Sequence, residues 1–225
     1  MVSAQYLIGI GMGIALMIAA QQPKQNTPPN TEEPVVKGTF KHLIKVGESG
    51  KRGYNSYNRG STRCAKSNRE AINLESMTFK QIEFYQGLPA CHRQKLLAVG
   101  FYQDIDVSRC RRKLSLPSST MYSKSVQDKC FGLYLVGEKQ PAIKYWITRG
   151  KNIKWAGHMA SAEFAGLKSP LLGRGYHDGN GNNRATVPAK EVLEALEHAR
   201  TIYQQQKSAG ASHDEAYLAA LGVSH

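Results

Sequence analysis

The stretch of sequence that decides the fold is residues 37–60, KGTFKHLIKVGESGKRGYNSYNRG. Its first apolar residues recur at helical spacing, which predicts a short amphipathic helix over Lys37–Val46 that ends at Gly47. Glu48 then follows the helix terminus, where a side chain can point into a cleft. The next segment, 50–69, is rich in Gly, Ser, Asn and Arg with alternating tyrosines, and it predicts turns and a small hairpin. Glu48 is therefore the first candidate for chemistry.

Helices dominate the rest of the prediction. Thr78 and Gln81 form a capping box that opens a helix, and Leu88-Pro89 stops it. The clearest helix runs from Pro188 to about Lys207, with an apolar stripe on one face and a glycine beyond its end. A second capping box, Ser212 to Glu215, starts a short tail helix. Further helices are predicted over 107–114, 123–136 and 158–167. The predicted fold class is therefore mainly α with a small β element (α+β).

Length, composition and charge limit the class of protein. The 225 residues suffice for one domain of roughly 150 to 190 residues plus appendages. A hydrophobic fraction of 41% and a charged fraction of 21% exclude a collagen, a wholly disordered chain and a polytopic membrane protein. The formal charge of +13 is concentrated, because residues 37–154 hold 23 Lys and Arg against 8 Asp and Glu. This stretch suits a polyanionic partner such as nucleic acid, anionic lipid or a cell-wall polymer.

The N-terminal residues predict export. The uncharged run Tyr6–Ala20 is only weakly hydrophobic because of its glycines, and about 20 apolar residues are needed to cross a bilayer. No Lys or Arg precedes the run and its cleavage site is poor, so a cleaved signal and an uncleaved anchor both stay open. A buried core helix is disfavoured, because charged, proline-rich sequence follows directly. The predicted segments are 1–22 as signal or signal anchor, 23–36 as Pro-rich linker, 37–207 as the folded domain and 208–225 as a short C-terminal helical tail. The predicted location is the periplasm, either free or anchored in the inner membrane and facing the periplasm.

Four cysteines follow that segment: Cys64, Cys91, Cys110 and Cys130. An even number behind an export signal predicts two disulfides in an oxidising compartment. We prefer Cys64 with Cys91 and Cys110 with Cys130, although three connectivities are possible. Zinc is the competing interpretation, but no pair has the spacing of common structural sites. The seven histidines are scattered, so neither a metal nor another cofactor is expected.

Several short motifs stand in a particular order along the chain. They are Glu48-Ser49-Gly50, Gly53-Tyr54-Asn55-Ser56-Tyr57-Asn58-Arg59-Gly60, Ala98-Val99-Gly100-Phe101-Tyr102-Gln103, Gln127-Asp128, Ala162-Glu163-Phe164-Ala165, and Gly173-Arg174-Gly175-Tyr176 with Gly181-Asn182-Asn183. In this order they resemble the lysozyme-like muramidases of bacteriophages, in particular the phage lambda type endolysin and its lytic transglycosylase relatives. The match covers roughly residues 37–203. No single motif is decisive, but such an order rarely arises by chance.

The resemblance implies a fold and an activity. The fold is a lysozyme-like two-lobed domain with the substrate cleft between the lobes. The activity is that of a peptidoglycan-degrading glycosidase, a muramidase or lytic transglycosylase that cleaves the β-1,4 bond between N-acetylmuramic acid and N-acetylglucosamine. This chemistry needs a carboxylic acid held protonated in a partly apolar site, and Glu48 is the candidate general acid. The resemblance further implies attack by the sugar's own 6-hydroxyl to leave a 1,6-anhydro product, while hydrolysis stays open.

The resemblance also implies which residues bind substrate. They are Tyr54, Tyr57, Asn58, Tyr102, Gln103, Tyr176 and Asn183. Tyr102 and Gln103 match the family's Tyr-Gln position, whose side chains hydrogen-bond the sugar. Aromatic faces and amides suit a sugar's alternating apolar and hydroxyl surfaces. The alternative for each residue is ordinary packing or a turn that satisfies its own backbone.

The sequence departs from the family at two places. Asp104-Ile105-Asp106 stands where relatives continue with apolar residues and Pro-Thr, which makes Asp104 or Asp106 a candidate second carboxylate. Glu163 matches the first residue of the family's Glu-Trp-Ala-Ser, but Phe164 and Gly166 replace its Trp and Ser. We expect Glu163 to be structural, as a partly buried acid that accepts hydrogen bonds.

The expected partners are peptidoglycan glycan strands, the anionic envelope surface and the inner membrane through the N-terminal segment. The basic cluster at 109–113 lacks aromatic interleaving and a helix-turn-helix pattern, so no specific nucleic acid is expected. The protein is expected to be a monomer. Two rivals stay open: a catalytically inactive cell-wall-binding or virion structural protein on the same scaffold, and a basic envelope protein that binds nucleic acid. Host lysis, entry and service to a secretion machine stay open as well.

The first 20 residues resemble the signal-anchor-release segments of some phage endolysins, which hold the enzyme in the inner membrane until the segment slips out. Apolar residues gain only a few tenths of a kcal/mol each on insertion, so a glycine-rich segment is bound weakly. Ordinary export with cleavage near Ala20 is the alternative.

Overall fold

Helices form most of the described structure, and the only β-sheet in the described residues is a pair of two-residue strands. The computed structural model describes residues 38–60, 72–180 and 183–223, so the predicted signal or anchor segment and the Pro-rich linker lie outside the described residues. The α-helices are α1 (Phe40–Ile44), α2 (Phe79–Gly87), α3 (Val107–Lys113), α4 (Lys124–Lys129), α5 (Pro141–Arg149), α6 (Ile153–Glu163), α7 (Ala189–Ser208) and α8 (His213–Ala220). Strand β1 (Tyr57–Asn58) pairs antiparallel with β2 (Ala98–Val99). The prediction of a mainly α fold with a small β element is confirmed.

Glu48 lies inside a π-helical turn rather than beyond a helix end. The first turn of α1 is capped by the side chain of Thr39, and after α1 the chain continues as a π-helical turn over Lys45–Ser49. The predicted helix end at Gly47 is therefore wrong. A Cβ at Gly47 would lie 3.2 Å from the Cα of Gly166. Close packing of two backbones, rather than helix termination, explains this glycine.

Local signals predicted several helices correctly. The capping boxes of α2 and α8 are both confirmed, with Thr78 and Ser212 as the caps. The helix predicted over 107–114 is α3, and α7 begins directly after Pro188 as expected. The helix predicted over 123–136 is α4, which continues as a π-helical segment, Cys130–Lys139.

Two helices differ from the prediction. α6 begins at Ile153, five residues before the predicted start, because Asn152 accepts a hydrogen bond from the N–H of Trp155 and caps it. α5 was not predicted at all. It starts with Pro141 in its first turn and ends at Gly150, which adopts a left-handed conformation with φ of 73°.

The core forms where α5, α6 and α7 pack on one another, and α8 packs against α5 and α7. α8 and the residue after it bury Ala216, Tyr217 and Leu221 completely. Burying one large apolar side chain contributes about 1.5–3 kcal/mol. The C-terminal helix is therefore part of the folded unit, Glu32–His225. Within the part of the chain that the structure describes, no helix combines the length and apolar character that a membrane crossing needs.

A disulfide joins α3 to the π-helical segment after α4. It links Cys110 to Cys130, with Cα atoms 5.4 Å apart and a sequence separation of 20 residues. This half of the predicted pairing is confirmed. Cys91 is also disulfide-bonded, and Cys64, its expected partner, lies outside the described residues.

Replacing both Cys110 and Cys130 with Ala is expected to lower the free energy of unfolding by about 3 kcal/mol, because the cross-link restricts the unfolded chain. Urea unfolding of the wild type and the double variant measures the change. Unfolding curves that coincide would contradict this expectation.

Candidate active site

Glu48 is held by a contact between two distant parts of the chain. Its Oε1 atom accepts a hydrogen bond of 2.6 Å from the backbone N–H of Gly166, 118 residues away. Gly166 has no space for a side chain, because a Cβ there would collide with the backbone of Gly47. π-Helical turns such as the one that carries Glu48 are frequent at functional sites. The close approach of two glycines thus fixes the position of the carboxyl group.

The surroundings of Glu48 let a large fraction of its carboxyl groups keep their proton up to about neutral pH. Burial raises the pKa from its ordinary value near 4.5 to about 7. The hydrogen bond from Gly166 and the charge of His177 lower the pKa, while the negative charge of Glu163 raises it. Burial is the largest of these causes, since removing water disfavours the ionised form. The side chain stays half-buried, so a substrate can still reach the proton.

Glu163, at the end of α6, is the acid whose charge acts on Glu48. One carboxylate oxygen forms a salt bridge of 2.6 Å with the Nζ of Lys139, and the other accepts a hydrogen bond of 2.9 Å from the side chain of Gln140. Its side chain is only 8% exposed. The expectation of a partly buried acid that accepts hydrogen bonds is confirmed. With both oxygens engaged, Glu163 acts on the site through its charge.

Asp104 and Asp106, the two candidates for a second catalytic carboxylate, both form hydrogen bonds within their own part of the chain. Asp106 caps α3 by accepting from the N–H of Arg109, and it forms a salt bridge of 3.0 Å with the same residue. Asp104 is 2% exposed, and burial raises its pKa to about 6. Its Oδ1 accepts the N–H of Asp106, while its Oδ2 has no hydrogen-bond partner. Burial therefore favours the neutral form of Asp104 below about pH 6.

Two predicted substrate-binding residues lie in the core. The hydroxyls of Tyr54 and Tyr102 both donate to Oδ1 of Asp128, at 2.8 and 2.6 Å. The other oxygen of Asp128 pairs with the Nζ of Lys41 at 2.9 Å. Tyr102 is 4% exposed and its ring stacks on Phe131 at 4.0 Å. The prediction that these two tyrosines contact the sugar is therefore corrected: their hydroxyls satisfy a buried carboxylate.

The neighbouring Gln103 closes a turn. It has a left-handed φ of 54°, and its side-chain amide donates to the carbonyl of Gly100 at 3.0 Å. A Cβ at Gly100 would collide with the side chain of Gln127, whose Oε1 accepts the N–H of Phe101 at 2.9 Å. The side chain of Gln103 thus forms a hydrogen bond within its own turn, and its contact with the sugar stays a prediction.

Tyr57 and Asn58 form β1, close to the π-helical turn of Glu48. The loop before them is fastened to that turn, because the hydroxyl of Ser56 donates to the carbonyl of Ser49 at 2.6 Å. The ring of Tyr57 lies 5.0 Å from the guanidinium of Arg52 and 5.2 Å from that of Arg59. Asn58 is exposed and accepts the N–H of Gly60 at 2.8 Å.

Tyr176 is 50% exposed and its ring contacts that of His177, with centroids 5.1 Å apart. His177 is fixed by a contact of 2.8 Å between its Nε2 and the carbonyl of Ala162. Asn183 is exposed. Tyr176 thus contacts His177, whose charge lowers the pKa of Glu48.

Sequence reasoning missed four residues that shape the site. They are Lys139, Gln140, Gly166 and His177. A single histidine in a glycine-rich segment has no local signature, and nothing near Gly166 in the sequence indicates a contact with Glu48. Only the folded chain reveals these partners.

The arrangement provides one protonated carboxylic acid beside a fixed negative charge and an imidazole. Among the described residues, no group of three or more His, Cys, Asp or Glu side chains is placed to hold a metal ion. Comparison with protein-family models, with curated proteins and with solved structures finds no significant match. The function is therefore inferred from the chemistry of the residues around Glu48.

Proposed function

We propose that this protein is a peptidoglycan-degrading glycosidase with a lysozyme-like two-lobed domain, in which Glu48 is the general acid. The observation that carries the proposal is the half-buried carboxyl group of Glu48 with a pKa of about 7. Cleavage of a glycosidic bond needs an acid that still holds its proton at working pH. The resemblance of the ordered motifs to phage muramidases supports the same assignment.

The surfaces beside Glu48 suit an anionic sugar polymer. Tyr57 and Tyr176 offer aromatic rings, and Asn58 offers an exposed amide. Arg52 and Arg59 flank the ring of Tyr57, where they can pair with the carboxylates of the peptides that the glycan strand carries. These side chains support a peptidoglycan strand as substrate.

The state of Glu163 favours a 1,6-anhydro product. Both oxygens of Glu163 are engaged by Lys139 and Gln140, which argues against a role as nucleophile or water-activating base. Glu48 gives its proton to the glycosidic oxygen as the bond to C1 breaks. The 6-hydroxyl oxygen of the sugar that contains C1 then bonds to C1 and gives its own proton to the Glu48 carboxylate, so Glu48 acts first as an acid and then as a base. No water is consumed.

Mass spectrometry of purified peptidoglycan incubated with the protein tests the proposal. We expect disaccharide-peptides that end in 1,6-anhydro-N-acetylmuramic acid, each lighter by one water than the hydrolysed product. Products that end in reducing N-acetylmuramic acid would support the glycosidase activity but would overturn attack by the 6-hydroxyl. Intact glycan strands, or cuts only in peptide or amide bonds, would overturn the proposed function.

A further inference from the structure

Four large apolar side chains lie exposed on α6 and the loop that follows it. They are Trp155, Leu171, Leu172 and Tyr176, which are 45%, 50%, 48% and 50% exposed. We call these four residues the apolar patch. Large contiguous apolar surfaces on a folded protein indicate an interaction site.

Two polar residues join the members of the apolar patch into one surface. The ring of His158 lies 5.2 Å from that of Trp155 and 5.6 Å from that of Tyr176. Nδ1 of His158 contacts the hydroxyl of Ser169 at 2.8 Å. The same hydroxyl oxygen accepts the N–H groups of Leu171 and Leu172, both at 3.2 Å. These hydrogen bonds fix the backbone of the two exposed leucines to Ser169, which contacts the His158 ring that lies between Trp155 and Tyr176.

The apolar patch belongs to a strongly basic part of the chain. The chain from Arg149 to His177 contains five Lys or Arg residues and a single acid, Glu163. The cations nearest in sequence to the patch are Lys151, Lys154, Lys168 and Arg174. Lys151, Lys154 and Arg174 are exposed and Lys168 is half-buried. Glu163 does not offset them at the surface, because its side chain is 8% exposed and paired with Lys139.

The acid that follows this stretch, Asp178, holds the loop together. Its two oxygens accept the N–H groups of Gly175 and Ala185, both at 2.8 Å. These hydrogen bonds lower the pKa of Asp178, and the charges of Arg174 and Lys168 lower it further. Asp178 therefore stays ionised, but the four cations nearest in sequence to the patch outnumber its single negative charge.

We propose that the apolar patch and its cations bind the surface of an anionic lipid bilayer. Trp and Tyr favour the bilayer interface, where an apolar ring body and a polar tip are both accommodated. Leucines at a loop tip can enter the acyl boundary, while Lys and Arg pair with anionic headgroups. A second copy of the chain is a poorer occupant, because two basic surfaces would repel each other. A sugar strand would use the aromatic rings but not the paired leucines.

This surface goes beyond the proposed glycosidase activity. It depends on the apolar patch and its charges, and it stands whether or not Glu48 is catalytic. It would bring the protein to a membrane that borders its substrate.

Fluorescence of the full-length protein tests the proposal, because Trp155 reports on the patch itself. The chain has two tryptophans, and the other, Trp146, is half-buried and donates from its Nε1 to the carbonyl of Leu196. Vesicles rich in phosphatidylglycerol should shift the emission to the blue, and brominated lipid should quench it. The Trp155→Phe variant, which keeps Trp146, should lose both signals, which assigns them to Trp155 in the patch.

The double variant Leu171→Asp/Leu172→Asp should weaken the lipid-dependent signal at least about tenfold, since Asp is strongly disfavoured in the apolar layer. Phe84→Asp is the matched control, because Phe84 is 63% exposed on α2, and it should bind like the wild type. Added salt should weaken the signal. Unchanged Trp155 emission with anionic vesicles would overturn the proposal. A loss of the lipid-dependent signal in Phe84→Asp as large as in the double leucine variant would overturn it as well. A response to soluble peptidoglycan fragments but not to vesicles would assign the patch to the glycan instead.

Discussion

Replacing Glu48 with Gln is expected to lower glycan-cleaving activity by about 10³-fold, because an amide has no proton to give to the leaving oxygen. The variant should still fold. The Gln side chain has the same length, and its carbonyl oxygen can accept the hydrogen bond from Gly166 that Oε1 accepts in the wild type. Initial rates of glycan release from purified peptidoglycan measure the loss.

The wild-type activity should also fall as pH rises through about 7, because the acid form of Glu48 is lost there. Glu191→Gln is the matched control, since Glu191 is exposed on α7 and should keep full activity with the same pH profile. Substantial activity in the Glu48→Gln variant would remove Glu48 from the proposed mechanism.

The same substitution should change stability in a pH-dependent way. Folding raises the pKa of Glu48 from near 4.5 to about 7, so between these values the folded state binds more protons than the unfolded state. The contribution of this carboxyl group to stability therefore decreases as pH rises through that window and stays low above it. Relative to the wild type, Glu48→Gln should gain stability on the order of 3 kcal/mol between about pH 4 and pH 8. Urea unfolding of both proteins at both pH values measures this gain. If the difference in free energy of unfolding between Glu48→Gln and the wild type is the same at pH 4 and pH 8, the raised pKa is contradicted.

The part of the site that sequence could predict is the part with local signals. Glu48 follows an amphipathic run and precedes a turn-rich segment, so it could be selected as a cleft residue. The caps at Thr78 and Ser212 depend on residues three positions apart and were correct. The helix end at Gly47 was wrong, because a glycine that permits close packing and one that stops a helix look the same in sequence.

Tertiary partners could not be predicted in the same way. Tyr54 and Tyr102 have the residue type of sugar-binding positions, but a buried carboxylate on α4 accepts both hydroxyls. Gly166 and His177 act on Glu48 from distant parts of the chain. A role that depends on a contact across more than a hundred residues leaves no trace in local composition, so these residues emerge only from the fold.

Asp128→Ala is expected to lower the free energy of unfolding by about 4 kcal/mol, the largest effect on stability among these variants. Asp128 is 4% exposed, and its carboxylate accepts three donors: the Nζ of Lys41 and the hydroxyls of Tyr54 and Tyr102. Removing it leaves the Lys41 ammonium, itself buried, without its counter-charge and two hydroxyls without an acceptor. A buried group that loses its partner bears its full desolvation penalty.

Urea unfolding measures that loss, and a less buried pair provides the control. Glu83 and Arg111 form a salt bridge of 2.6 Å with side chains 25% and 23% exposed, so Glu83→Ala should lower the free energy of unfolding by about 1 kcal/mol or less. The double variant Lys41→Met/Asp128→Leu should recover much of the stability lost in Asp128→Ala, because it leaves no buried charge unpaired. A loss in Asp128→Ala no larger than in Glu83→Ala would show that Asp128 is not the buried centre that joins α1 to α4.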